Sequence, residues 1–211
     1  MWLITGIFLV IFGALLLSKA RKEREFRAKR QFYIGVALFF FFYGLSKFLH
    51  FYADIVVGVG DLVNYPVWWV AGTLPSYLAF TFLIFVIERN IVKTRNVFTI
   101  IMCALDVLVV VLPYESARNT AYIVSPLAGI FLIGIYIYLA QTVPGIRRTS
   151  QVRLIGLALF FAGLGLQIIV IHTWIRAIFG FQIRPLANLL LIVGSLIYAK
   201  EHLAEKPGEQ K

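Results

Sequence analysis

Residues 2–18, WLITGIFLVIFGALLLS, carry no charge, and residues 19–30, KARKEREFRAKR, follow at once with seven Lys or Arg in twelve positions. The apolar run approaches the roughly 20 residues that a helix needs to cross about 30 Å of hydrocarbon. A cleavable signal peptide places its basic residues before the apolar core, so this order is reversed. It reads as a retained first transmembrane helix, with an external N-terminus and an inner end held in the cytoplasm. The residues holding it there are Lys19, Arg21, Lys22, Arg24, Arg27, Lys29 and Arg30. The same cluster suits anionic lipid headgroups, worth about 1 kcal/mol per basic residue near the surface. Docking of a partner protein is the sharper alternative for it.

The whole chain agrees with that first run. Of 211 residues, 61% are hydrophobic and 14% charged, against about 25% charged in a soluble domain. Water is excluded as the main solvent. The net charge of +10 lacks the basic face of a water-exposed domain, which argues against nucleic acid. A single cysteine, Cys103, excludes an intramolecular disulfide framework. No cofactor is implied.

Seven apolar stretches predict seven transmembrane helices: residues 2–18, 31–49, 65–87, 97–112, 121–141, 154–172 and 185–200. Pro66 and Pro185 are expected in the first turns of the third and seventh, while Pro113 and Pro144 follow the fourth and fifth. Pro75 is expected to kink the third. Charges alternate between connections. Arg89, Lys93 and Arg95, then Arg147, Arg148 and Arg153, then Lys200, Lys206 and Lys211 join the first cluster, placing 16 of 20 basic residues on one side. The C-terminus is therefore cytoplasmic, and the chain is expected to be a multi-pass protein of the cell membrane.

Residues 34–40, IGVALFF, and 155–161, IGLALFF, agree at six of seven positions, and Gly6 to Val10 resembles Gly129 to Ile133. Two readings stand, a duplication or the self-similarity of apolar sequence. A duplication makes residues 1–90 and 121–201 parallel triplets joined by helix four at 97–112, a 3+1+3 repeat. Both readings give one transmembrane domain over 1–201 and a cytoplasmic tail at 202–211. The triplet arrangement resembles that of PQ-loop and sugar-efflux transporters, which implies parallel repeats around a solute path. Their Pro-Gln pair is absent here.

Chemistry concentrates in a few polar residues. Ser46, Lys47 and His50 lie near the outer end of helix two, followed by Asp54 and Asp61. Glu115, Arg118, His172, Arg176 and Arg184 are expected on the same side. Hydrocarbon penalises unpaired charge, so Lys47 either reaches the interface or faces a wet vestibule. Tyr43, Trp68 and Trp69 suit the walls of such a vestibule or an interfacial belt. Asp106 stands inside helix four, either relaying a proton or binding a cation, or else joining helices through Lys47, Gln167 or Asn188. Gln167 and Asn188 are read as polar lining or as interhelical hydrogen bonds. Gly72 with Ser76, and Ala158 with Ala162, have the spacing of close helix contacts.

Ser46-Lys-Phe-Leu-His50 resembles the Ser-xxx-His element of seven-helix zinc hydrolases related to alkaline ceramidases. That resemblance implies an aspartate ligand, with Asp54 or Asp61 in its place, and a His-xxx-His pair in helix seven that the chain lacks. His202 falls in the expected tail. Microbial rhodopsins share the helix count, but no lysine stands between Arg184 and Lys200 to carry retinal.

The first expected function is a small-solute or ion transporter or channel with an outward-facing polar cavity. Asp106, Lys47, His50, Asp54, Gln167 and Asn188 would line its path. A noncatalytic sensor or membrane-protein partner subunit is the second, and a lipid-directed intramembrane hydrolase the third. Membrane lipids are a partner in all three.

Overall fold

A computed structural model describes residues 2–23, 27–92, 94–142, 147–172 and 175–204. Among them every regular element is helical: α1 Trp2–Lys22, α2 Arg27–Phe51, α3 Asn64–Ile87, α4 Val97–Val111, α5 Tyr114–Thr142, α6 Arg147–His172 and α7 Ile175–Ala204. α2 continues into a π-helical segment, Tyr52–Gly58, and α3 into another, Glu88–Val92. Four stretches are long and apolar enough to cross a membrane: Trp2–Lys22, Arg27–Gly58, Asn64–Val92 and Ser150–Gln167. Val97–Val111, Leu127–Gln141 and Pro185–Lys200 are apolar but shorter. An α-helix satisfies its own backbone hydrogen bonds, the condition lipid imposes on a crossing segment.

The surface is also what lipid requires. α1 exposes Leu3, Ile4, Ile7, Phe8, Ile11 and Leu15. α4 buries only Met102, Asp106 and Val109 while Val107, Leu108, Val110 and Val111 face outward. This architecture, all-helical and apolar outside, is compatible with a helical membrane protein.

Two compact units divide the chain, Trp2–Val124 and, from Ser125 onward, the rest. In the first, α1 packs on α2, α2 on α3 and α3 on α4. Glycines set the α1–α2 approach: a Cβ on Gly6 would stand 3.2 Å from the Gly44 carbonyl oxygen, and one on Gly13 would stand 3.0 Å from that of Ala37. Phe39 and Tyr43 of α2, stacked at 6.0 Å, both meet Phe80 of α3, while Phe40 meets Phe12 of α1 at 5.9 Å. In the second unit α6 lies against α7 through Gly156, Gly163, Gly194 and Ala187.

Several boundaries differ from the sequence reading, because apolarity marks the lipid-crossing part of a helix and helicity runs past it. α5 begins at Tyr114, seven residues before the apolar stretch, since Pro113 ends α4 and then starts the next helix. Leu112 is extended (φ −73°, ψ 148°), as the residue before a proline prefers, and the Ala117 amide donates to the Pro113 carbonyl at 2.9 Å. Glu115 and Arg118 therefore sit in the opening turns of α5, paired at 2.7 Å. Pro185 lies inside α7 and not at its start. His202, expected in the tail, is in the last turns of α7 and fully buried. Ala158 and Ala162 are exposed, and Gly156 and Gly163 form the close contact of α6 instead. Pro144 and the tail lysines Lys206 and Lys211 lie outside the described residues.

Candidate functional site

Asp106 belongs to the one buried line of α4, Met102, Asp106 and Val109, whose spacing of four and three keeps it on a single helical face. That face meets α3. The Thr81 hydroxyl donates to Asp106 Oδ2 at 2.9 Å, while Oδ1 is buried with no hydrogen-bond partner among the described residues. Tyr77, one turn from Thr81 on the same side of α3, also has a buried hydroxyl without a hydrogen-bond partner among the described residues. Three oxygen-bearing side chains thus share the α3–α4 seam, at 7% exposure for Asp106, 7% for Thr81 and 1% for Tyr77. A buried carboxylate costs free energy unless it is hydrogen-bonded, paired or protonated. One open carboxylate oxygen beside a phenol suits a proton, a water or a small cation.

The partner of Asp106 is Thr81, a residue the sequence reading did not single out. The signal was present: Thr73, Tyr77 and Thr81 recur every four residues within an otherwise apolar helix, which places them on one face.

At the Trp2 and His50 end of this unit, Lys47 and His50 come together under aromatic rings. Lys47 is buried, with Nζ 4.7 Å from the Tyr43 ring centre and 5.6 Å from that of Trp2. Such cation–π contacts stabilise a desolvated ammonium by up to about 2 kcal/mol. His50 meets Trp2 edge-on at 5.7 Å and Trp69 at 6.2 Å. Gly72 admits that imidazole, since a Cβ there would stand 3.0 Å from Nδ1. Asp54 lies in the π-helical segment, where Oδ1 accepts from the Tyr65 hydroxyl at 3.0 Å. Trp69 and Tyr65 both contact the ring of Tyr114, and Tyr52 packs against Trp68 at 4.5 Å. Asp61 turns back on the start of α3, accepting from the amides of Val63 at 3.1 Å and Asn64 at 2.9 Å. The Asn64 backbone and side-chain hydrogen bonds hold its carboxyl below the usual range. Among the described residues, no three of His, Cys, Asp or Glu gather as a metal site.

In the second unit the Gln167 side-chain amide donates to Asn188 Oδ1 at 3.3 Å, joining α6 to α7. Asn188 is fully buried. The basic cluster separates into two kinds. Lys19 is buried against Tyr33, with Nζ 5.0 Å from the ring centre, and Lys29 pairs with the buried Glu23 at 3.7 Å. Arg21, Lys22, Arg27 and Arg30 are exposed. Arg24 lies outside the described residues, as do the side chains of His172, Arg176 and Arg184.

Glu88, visible in the sequence as half of the charged pair Glu88-Arg89 that ends helix three, was given no role there. At the end of α3, with little of its own surface exposed, it accepts from the amides of Phe98 and Thr99 and from the hydroxyls of Thr94 and Thr99. It caps α4, whose own N-cap residue Asn96 makes no side-chain cap bond. Set against known protein families, curated proteins and solved structures, the chain matches none.

Proposed function

We propose that this chain is a small-solute or ion transporter or channel, crossing the membrane seven times with its N-terminus outside and its C-terminus in the cytoplasm. The observation that carries this reading is Asp106. α4 turns outward almost everywhere yet directs its only carboxylate into the α3–α4 seam, where Thr81 holds one oxygen and no hydrogen-bonding group among the described residues meets the other. A carboxylate kept only to join helices is expected to have both oxygens satisfied, since a lone buried acceptor costs about 1–3 kcal/mol. A half-satisfied one fits a group that exchanges a proton or ion. Lys47, His50 and Asp54 supply a polar entrance at the outer end of the same unit, and Gln167 with Asn188 supplies polar groups within the second. The alternation of basic residues along the sequence supports the seven crossings. The matched segments 34–40 and 155–161 support a repeat of two parallel triplets, each directing a glycine of its second helix, Gly35 or Gly156, against its third.

Reconstitution in liposomes with a panel of ions and solutes under varied pH gradients tests this. Flux that requires the protein and falls at least tenfold in Asp106→Asn is expected. No flux in the wild-type protein, or flux unchanged in Asp106→Asn, overturns the reading. The threading is checked on a Cys103→Ala background: a cysteine placed at Arg118 should react with an impermeant reagent from the side opposite one placed at Arg147.

A further inference from the structure

A proton, a water and a small cation all suit the open oxygen of Asp106, and the room beside it separates them. Asp106 Oδ1 and the Tyr77 hydroxyl oxygen are closed off from water, and neither has a hydrogen-bond partner among the described residues. A hard cation takes about six or more oxygens. The seam offers the two carboxylate oxygens and the hydroxyls of Thr81 and Tyr77, and Oδ2 already accepts from Thr81. Backbone carbonyls do not make up the number, because residues 77–81 and 102–106 lie in unbroken helix whose carbonyls accept from their own amides. Waters that complete a cation's shell elsewhere find no room at Oδ1. A proton needs neither volume nor further ligands.

The charges around the carboxylate point the same way. The titratable groups in electrostatic contact with it are Tyr77 from α3 and Cys103, three residues back on α4. Among the described residues no Lys, Arg or His acts on Asp106, so no fixed cation balances it. Without a countercharge, a bound proton is what neutralises a buried carboxylate. The phenol suits both states, since it can donate and accept. Its O–H can turn to the ionised Oδ1, and its oxygen can receive the O–H of the protonated one, while Thr81 donates to Oδ2 in either case. We propose that the ion exchanged at the α3–α4 seam is a proton carried on Asp106 Oδ1, with Tyr77 as the residue that positions it. Uptake forms one O–H bond at Oδ1, release breaks it, and Tyr77 keeps its own proton throughout.

What this proton does for flux rests on the transport reading, and the test keeps the two apart. It is pH-difference infrared spectroscopy of the full-length protein in nanodiscs, in the carbonyl-stretch region where neutral carboxyl groups absorb. A titrating band present in the wild type and missing in Asp106→Asn is expected. Tyr77→Phe should move its midpoint by about one pH unit, the effect of losing one hydrogen bond to a charged group. The wild-type spectrum should also carry a tyrosine band that vanishes with the carboxyl band in Asp106→Asn, which reads the Tyr77 contact even if Tyr77→Phe does not fold. Exchanging sodium for choline at constant ionic strength should leave the midpoint in place. No Asp106-dependent band between acid and alkaline pH overturns the inference, and so does a midpoint that sodium displaces saturably. A midpoint unchanged in Tyr77→Phe overturns the role of Tyr77. An Asp106 band in a protein that gives no flux in liposomes refutes transport and leaves the proton site, whereas sodium-dependent flux at fixed pH without that band refutes the proton and leaves transport.

Discussion

Glu88→Ala should unfasten the start of α4 while leaving the rest of the first unit folded. The opening turn of a helix has backbone N–H groups with no partner inside the helix. In α4 the second and third of them, at Phe98 and Thr99, are met at 3.0 and 2.7 Å by the carboxylate of a residue on the preceding helix. Losing an ordinary N-cap costs about 1 kcal/mol, and a partly buried charge at a helix N-terminus contributes up to about 2 kcal/mol. The two overlap, so about 2 kcal/mol of local stability is expected to go with the side chain. That corresponds to about a 30-fold rise in the open population of the turn. Hydrogen exchange followed by mass spectrometry, in detergent or nanodiscs, reads it directly: the Phe98 and Thr99 amides should exchange about 30-fold faster, with α2 unchanged. Glu88→Gln keeps an acceptor oxygen and should give an intermediate effect. Exchange at Phe98 and Thr99 altered by less than about threefold in Glu88→Ala would refute the capping argument.

Two further outcomes follow from geometry. Gly194→Val puts a Cβ where the α6 backbone already stands, at 2.5 Å from the Gly156 oxygen and the Phe160 amide nitrogen; overpacking of this kind costs about 1–3 kcal/mol, read as a lower melting temperature. Gly134→Ala, where nothing lies within 4 Å, should be neutral or stabilising, and equal melting of the two variants would count against the α6–α7 contact. Asp61 gives a pH dependence. Its hydrogen bonds from Asn64 and Val63 hold the folded-state pKa below the unfolded value, so their stabilisation is complete above about pH 4 and is lost as pH falls through the folded-state pKa. Amides at the start of α3 should loosen under acid in the wild-type protein, and Asp61→Ala should be loose already at neutral pH; acid-insensitive exchange in the wild type would refute it.

How far the sequence revealed this molecule depends on what lipid demands of it. Lipid demands apolar side chains, and apart from Leu112, extended before Pro113, every apolar stretch marked in the sequence lies within a helix of the structure, because nothing in hydrocarbon competes with the helix for backbone hydrogen bonds. Lipid places no such demand on helix ends. Tyr114 to Thr120 and Arg147 to Arg153 are helical although polar, and composition alone read them as connections. Pairing was harder still. Asp106 was visible as a carboxylate in an apolar helix, but Thr81 lies 25 residues away on another helix, and only their packing brings the hydroxyl to the carboxylate. Lys47 was read as either snorkelling or facing water, and the aromatic faces of Tyr43 and Trp2 give it a third surrounding.

The small residues show the same division. Ala158 and Ala162 have the spacing of a helix contact and face outward, whereas Gly156 and Gly163, seven residues apart, meet α7. In a soluble protein, polarity tells the two faces of a helix apart. Here both faces of α6 are apolar, so spacing names the candidate faces and the partner helix selects between them. Polar residues break that degeneracy, because hydrocarbon drives each of them toward the protein interior. On α7 the line through Asn188, Ser195 and His202 does so from Asn188 to His202, and the buried face of that part follows from those three residues. Thr73, Tyr77 and Thr81 do the same for α3. In each unit the polar line that orients the helix is therefore also where buried hydrogen-bonding groups collect, with the carboxylate of Asp106 beside the line in the first.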